Sequence, residues 1–554
     1  MRSFSRRGFL TTSSLAVAGL GFSRPRIAQA SSIVLPMRSK APVAAFLPDL
    51  VDPETLRQLA RTGVEAAQHA GADYADVRVA DVRKLRTDWS MPQMMPLPYS
   101  DLHLEYGFGV RVRVGGAWGF AFDVDPTPDG IARAAQSAVN TARGLAKMAG
   151  PAVTLIPAPA LKGEWSTTVD VDPFSVAPDT HMKLLGACID AAERVRDGTV
   201  GELVFRWAKE TRVFASSDGA LLTQRFIRSF PGIEVAVHNE LRRGLIQLPV
   251  PGLAPRCAGF ESVVGPELQD RIKATTEEAQ QLIHYPEGEA EVGRYEAVLD
   301  GDAMAAIFGA TVVQALDFER VLGYEANAAG TSFLGPVDDI IGQPVFSPHL
   351  TVTANRDASS YGAARWDDEG VATEAFPVIE QGRVVDYFTS RETAPVLAAW
   401  YAKTGRPPRS RGSAVAWSAT TTPSGCASNL TVSPGKSGTG LNELVAQMSN
   451  GILARGVSQY EIGVDPQLSG GAYTARMMFE VRKGQITRRL LDGVVQFRTK
   501  SVWKDIIALG DTHSMHCHAH VDWRGETMAK VVQPVTAPAA RLAQLDMIQI
   551  GRSA

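Results

Sequence analysis

The chain has 554 residues, 45% of them hydrophobic and 21% charged, with a formal net charge of −3. That composition belongs to a globular protein long enough for two or more domains with ample core. The near-balanced charge carries no basic stripe, which speaks against a nucleic-acid partner, and four scattered cysteines (188, 257, 426 and 517) without a C-x-x-C speak against a disulfide framework.

Residues 1–30 read as a targeting segment. Ser5-Arg6-Arg7-Gly8-Phe9-Leu10 is a twin-arginine pattern, a weakly apolar run follows to Leu20, and Ala28-Gln29-Ala30 is an A-x-A cleavage site. Export by the twin-arginine route to the periplasm is expected, with the chain folded beforehand. The apolar run is too short for a mature spanning helix, and no later stretch reaches that length, so no integral membrane segment is expected.

Residues 31–50 carry little signal and read as an irregular arm. Pro53 to Ala70 has Leu56, Leu59, Val64 and Ala67 near helical spacing, with Gly71 as the stop. A turn into a strand follows over 71–79. Glu105 to Phe120 holds two alternating runs around Gly115-Gly116, a hairpin signal. Pro128 to Met148 places Ile131, Ala134, Ala138 and Thr141 on one helix face. A Pro-rich link (151–173), helices over 181–196 and 265–282, and strands ending at Phe214–Ala220 complete this half. The spaced glycines at 107 and 109 sit inside a strand and lack the full G-x-G-x-x-G, so no nucleotide loop is read there.

The most informative stretch is Leu299 to Pro336. Its second half, Glu319-Arg320-Val321-Leu322-Gly323-Tyr324-Glu325-Ala326-Asn327 with Ala329-Gly330-Thr331-Ser332-Phe333, resembles the signature of the TldD/PmbA family. Asp367-Asp368-Glu369-Gly370, Gly382 to Ala394, Ser410-Arg411-Gly412 and Asn429 to Gly435 continue the resemblance, which spans roughly residues 50 to 545. It implies an α+β fold in two domains, an N-terminal sheet backed by helices (31–290) and a strand-rich metallopeptidase-like domain (291–554). It also implies proteolysis of unstructured peptides, a zinc cofactor, and pairing with a homologue, as a homodimer or heterodimer.

Active members carry H-E-x-x-x-H on the helix before the signature, which falls here on Gly309, Ala310 and Gln314. Glycine and alanine have no side-chain donor, and a neutral amide is a poor ligand for zinc, which takes imidazole or thiolate plus a water and a nearby carboxylate base. Zinc is therefore not supported at the family position. The resemblance then implies a non-catalytic or partner subunit that binds unstructured peptides, with Tyr324, Glu325 and Asn327 as peptide-binding residues. The glycine-spaced strand at 451–456 would offer the exposed edge.

The family's third ligand is a cysteine near the C-terminus, where this chain reads His513-Ser514-Met515-His516-Cys517-His518-Ala519-His520. In an extended segment His516, His518 and His520 share one face, and imidazoles at that spacing can chelate zinc, nickel or copper. The alternative expectation is thus an active exported metallopeptidase whose metal site has moved to His516, Cys517, His518 and His520. The plainer reading is a histidine-rich solvated loop. Asp511, Asp522 and Glu526 are the nearest carboxylates. Asp317, Glu319 and Glu325 form an acidic set beside the vacated positions, read as structural partners. Asp317 and Glu319 would point about 200° apart on a helix, a poor acid/base pair.

Overall fold

The computed structural model describes residues 31–47, 51–90, 99–148, 152–239, 244–427, 429–458, 463–524 and 529–549. The leader expected over 1–30 lies outside them. The fold is α+β, with an eight-stranded sheet built from strands between 31 and 249 and a ten-stranded and a six-stranded sheet built from strands between 287 and 549.

Strand alternation decides how the first half is layered. Along Tyr74–Ser90, Ala75, Val77 and Val79 turn to one side, while Asp76 and Arg78 turn to the other. The apolar side packs on helices Pro53–His69 and Pro128–Leu145, in a core shared with Val110, Ile131 and Val139. Proline opens both helices, and Thr127 caps the second by accepting from the Gly130 amide at 3.1 Å. Thr141 is exposed and bonds the Ser137 carbonyl, so Ala142 takes the buried place expected for it. A second helix pair, Pro178–Glu193 and Pro266–Leu282, covers the rest of that face over Leu85, Phe205 and Trp207.

The sheet runs in the order Ser31–Val34, Tyr99–Val114, Tyr74–Ser90, Gly198–Ser216, Leu221–Asn239, Lys162–Ser166. Two stretches expected to be irregular supply its edges. Ser31–Val34 pairs antiparallel with Tyr99–Val114 through Ser31 and Leu104, and Lys162–Ser166 runs parallel to Leu221–Asn239. The expected hairpin is present, with Ala117–Asp123 returning along Tyr99–Val114 and both Gly115 and Gly116 at positive φ.

The charged side of this sheet meets the second half. Arg111 Nη2 lies 2.7 Å from Asp76 and 3.0 Å from Glu369, and Arg212 Nη1 lies 2.6 Å from Asp368. Glu369 also accepts from the Arg391 amide at 2.6 Å. The acidic turn 367–369 is thereby plugged into the sheet through buried ion pairs, which require such partners to be tolerated away from water.

In the second half a ten-stranded sheet places Gly293–Leu299 between Ala540–Gln549 and Asn450–Val457. A six-stranded sheet runs Arg383–Val384, Phe376–Glu380, Val352–Ala354, Leu430–Val432, Ala529–Ala537, His516–Arg524. Helix Gly301–Phe308 lies between the two sheets, and every residue from 301 to 316 is buried. A helix apolar on all sides is core by nature.

No helix among the described residues is long and apolar enough to cross a membrane.

Candidate functional site

The buried helix starts at Asp300, whose carboxylate accepts from the Ala303 amide at 2.8 Å and the Gly456 amide at 3.0 Å. This cap pins the helix to strand Asn450–Val457. The helix continues through a π turn, Gly309–Val313, and a 3₁₀ turn, Gln314–Leu316. Thr311 stabilises the irregular stretch by donating to the Ile307 carbonyl and accepting from Trp503 Nε1.

Two glycines let the helix lie directly on strand His516–Arg524. A Cβ on Gly301 would stand 2.4 Å from the Ser514 carbonyl, and one on Gly309 would stand 3.1 Å from His520 Cβ. Asp302 and Gly309, seven residues apart, share a helix face, and that face meets the alternate residues His516, His518 and His520. His518 Nδ1 donates to Asp302 Oδ1 at 2.9 Å, and His516 Nε2 lies 3.4 Å from the same oxygen. Burial alone would raise the Asp302 carboxyl. The His518 hydrogen bond and the charges of His516, His518 and Arg476 outweigh it and hold the group at about 2.

At the other end of the seam the Gln314 amide nitrogen lies 3.0 Å from His520 Nε2. Burial, with His518 adding to it, pushes His520 down to about 3, so the ring is neutral and its Nε2 accepts that bond. His520 thus occupies the space beside Gly309, with Ala310 offering no donor. One imidazole and one amide do not make a zinc site.

The expected metal set is divided by this geometry. His516 and His518 turn to Asp302, His520 turns to Gln314, and Cys517 falls on the opposite face, where burial pushes its thiol up. Among the described residues no three His, Cys, Asp or Glu side chains are arranged to hold a metal ion. His513 is exposed, Asp511 caps the turn at Thr512–Ser514, and Glu526 and the Asp522 side chain lie outside the described residues. Asp302 was not legible as a partner in advance. The signal available for it was its heptad spacing to Gly309.

The signature folds as a loop held by Arg320. Its guanidinium is buried and donates to the carbonyls of Thr331, Ala329 and Pro466 at 2.9, 2.5 and 3.0 Å. Glu325 is buried beside it, Oε2 at 3.8 Å from Arg320 Nη1, so its carboxylate faces the scaffold and not the surface. Tyr324 and Asn327 are exposed. Tyr324 OH donates to Glu392 Oε1 at 3.4 Å, and the other oxygen of Glu392 accepts from Trp118 Nε1 of the N-terminal hairpin at 2.7 Å. Burial, reinforced by Glu369, Glu392 and Glu325 against the opposing Gly425 amide, pushes Glu319 up to about 8. Asp317 is fully buried, its backbone bridged to Phe388.

One expectation is corrected. Strand Asn450–Val457 has no exposed edge, because Gly293–Leu299 and Ala475–Arg482 pair with its two sides. The free edge beside the vacated positions belongs instead to His516–Arg524, whose single strand partner among the described residues is Ala529–Ala537.

Comparison with known proteins agrees with this frame. Residues 292–549 match the family model of the PmbA/TldA metallopeptidase C-terminal domain, and residues 102–142 match that of PmbA/TldA metallopeptidase domain 1. The chain belongs to the TldD/PmbA family. A metalloprotease of Methanothermobacter thermautotrophicus is 21% identical over 444 residues, covering 79% of this chain and 88% of that protein. TldE from Thermococcus kodakarensis superposes with a TM-score of 0.65 at 16% identity, over 90% of this TldD/PmbA chain and 100% of that one. A Thermotoga maritima protein described as a modulator of DNA gyrase gives 0.65 at 15%, over 89% and 99%. These likenesses establish the fold.

Proposed function

We propose that this TldD/PmbA chain is a non-catalytic, peptide-binding subunit that takes unstructured peptides as an added strand on the free edge of His516–Arg524. The observation that carries it is the Gln314–His520 pair, which fills the place where a catalytic member would hold its metal, on the strand whose edge remains open. Main-chain hydrogen bonds on such an edge recognise extended backbone without reading its sequence. Tyr324, exposed and tied to Glu392, stands as a wall residue, and Asn327 as a second contact on the same loop. The partner is a TldD/PmbA homologue, as a second copy or an intact catalytic member.

The test is titration of an unfolded peptide, alongside the same peptide N-methylated at alternate residues so that one edge loses its donors. Saturable micromolar binding of the first, strong loss with the second, and weakening in Tyr324→Ala are expected. Equal binding of both peptides, no saturable binding, or peptide cleavage that o-phenanthroline abolishes would overturn the reading.

We propose further that the chain is exported by the twin-arginine route to the periplasm, on the motif order of residues 1–30. Replacing Arg6 and Arg7 by Lys should retain the protein in the cytoplasm, and an unchanged periplasmic yield would refute this.

A further inference from the structure

A cavity of about 340 Å³ lies between the charged side of the N-terminal sheet and the loops of the second half. Its floor is a patch of alternate strand residues. Ala208 sits between Lys84 and Arg228 across the strands, and Glu210 sits between Val82 and Phe226. Its roof carries Arg356, Tyr361, Trp366 and Trp417. The volume is at the small end of ligand sites, and the mix of aromatic walls with a few convergent polar groups is what such sites require.

The charges in this cavity do not cancel. Lys84 pairs with Glu105 at 2.5 Å, and Arg212 bridges Glu210 and Asp368 at 2.6 Å each. Arg228 reaches the second oxygen of Glu210 at 2.7 Å, and the remaining oxygen of Asp368 accepts from the Ala416 amide at 2.7 Å. Every carboxylate lining the cavity is thereby engaged. Arg356 is the cation left over: Nε donates to the Gly362 carbonyl at 2.9 Å and Nη1 to the Gly412 carbonyl at 3.1 Å, and it forms no ion pair among the described residues. Two carbonyls hold its plane fixed, which leaves Nη2 for an anion. Burial lowers this guanidinium in spite of the charges of Asp368 and Asp367, and a carboxylate arriving on the free nitrogen would supply the direct charge-assisted hydrogen bond that it lacks.

We propose that the cavity binds a free carboxylate carried by an apolar or aromatic side chain, with Arg356 taking the carboxylate and Phe226, Tyr361, Trp366 and Trp417 enclosing the side chain. That chemistry has two sources, the last residue of a peptide or a small organic acid. The peptide source rests on the strand-addition reading above and gains from position. Val532, which lines the cavity, is the cross-strand partner of Val521 on the His516–Arg524 strand. A peptide on the free edge of that strand lies two strand spacings away, about 10 Å.

Calorimetric titration with N-acetyl-phenylalanine and N-acetyl-phenylalaninamide tests the site, and one unfolded peptide ending in Phe, as acid and as amide, tests the source. The acids should bind at least about tenfold more tightly than the amides. Arg356→Gln should abolish that preference. Ala208→Phe, which fills the floor and leaves the Arg356 carbonyl clamps intact, should abolish binding of the small acid while the amidated peptide still binds the strand edge. Both variants are checked for cooperative melting, and Ala208→Phe decides if Arg356→Gln does not fold. Equal binding of acid and amide, no binding of either, or full binding in folded Ala208→Phe overturns the proposal. A peptide bound equally as acid and amide, yet lost on N-methylation, would remove the peptide from the cavity and leave the strand-addition reading standing. Binding of the small acid without the peptide acid keeps the cavity and assigns it to small acids.

Discussion

Gln314 and His520 close the seam between the buried helix and its neighbouring strand, amide nitrogen to imidazole Nε2 at 3.0 Å. The two side chains satisfy each other and fill the gap beside Gly309. Restoring the lost histidine alone is therefore obstructed, because any Cβ at 309 lands 3.1 Å from His520 Cβ and 3.2 Å from its Cγ. Gly309→His should cost about 1–3 kcal/mol by overpacking, read from urea midpoints. Gly309→His, Ala310→Glu and Gln314→His combined with His520→Cys should gain one dialysis-resistant zinc per chain, whereas the triple variant that keeps His520 should not. Equal zinc retention by both would show that His520 is no obstacle.

The same pair makes a spectroscopic prediction. With its pKa pushed down to about 3 by burial, His520 should stay neutral, with the proton on Nδ1, from pH 8 to below pH 5. Nitrogen chemical shifts of the imidazoles in the folded protein check this, and titration of His520 near pH 6.5 would contradict the geometry.

Glu319, raised to about 8, keeps its proton in the folded chain across the range from pH 4.5 to 8, where the unfolded chain has lost it. Stability then falls as pH rises through that window. Glu319→Gln mimics the protonated group and removes the dependence. The variant should match wild type near pH 4.5 and exceed it by at least about 1 kcal/mol at pH 8.5, since a tenfold change in a protonation equilibrium corresponds to about 1.4 kcal/mol. A difference that is constant with pH would refute the assignment.

Arg111 serves Asp76 and Glu369 together at 2.7 and 3.0 Å, and all three side chains are buried. Arg111→Met takes the paired cation from Glu369, leaves Asp76 with only the longer Arg78 contact at 3.4 Å, and should cost about 3–5 kcal/mol. The double change Arg111→Met with Glu369→Gln should recover part of that loss. Denaturant unfolding of the single and double variants measures the recovery, and its absence would mean that Glu369 draws its support from the Arg391 amide alone.

The sequence made the helices legible because period 3.6 is a local property. Pro53–His69 and Pro266–Leu282 fall within a residue or two of their expected spans. The signature was legible too, since two of the three carbonyls that Arg320 holds, those of Ala329 and Thr331, lie within the same motif. Pairing was not. Asn450–Val457 reads as an ordinary strand in one dimension, and only the partners on both sides, 150 residues before it and 20 after, show that it has no edge. The histidines were visible as a set but not as divided, because the division is imposed by Asp302 and Gln314 on a helix 200 residues away. The cavity at Arg356 draws its floor and roof from segments more than a hundred residues apart, beyond any local pattern.

Strand Gly293–Leu299, which leads into the buried helix, is flanked on one side by Ala540–Gln549. A ribosome must therefore release the chain through Ala540–Gln549 before the second half can close around the helix. For all that interval the helix face that carries Asp302 and Gly309 lacks the late strands His516–Arg524 and Ala529–Ala537 that cover it. Nascent chains arrested just short of residue 540 should consequently display this helix to holding chaperones, and completion of the last strand should release them.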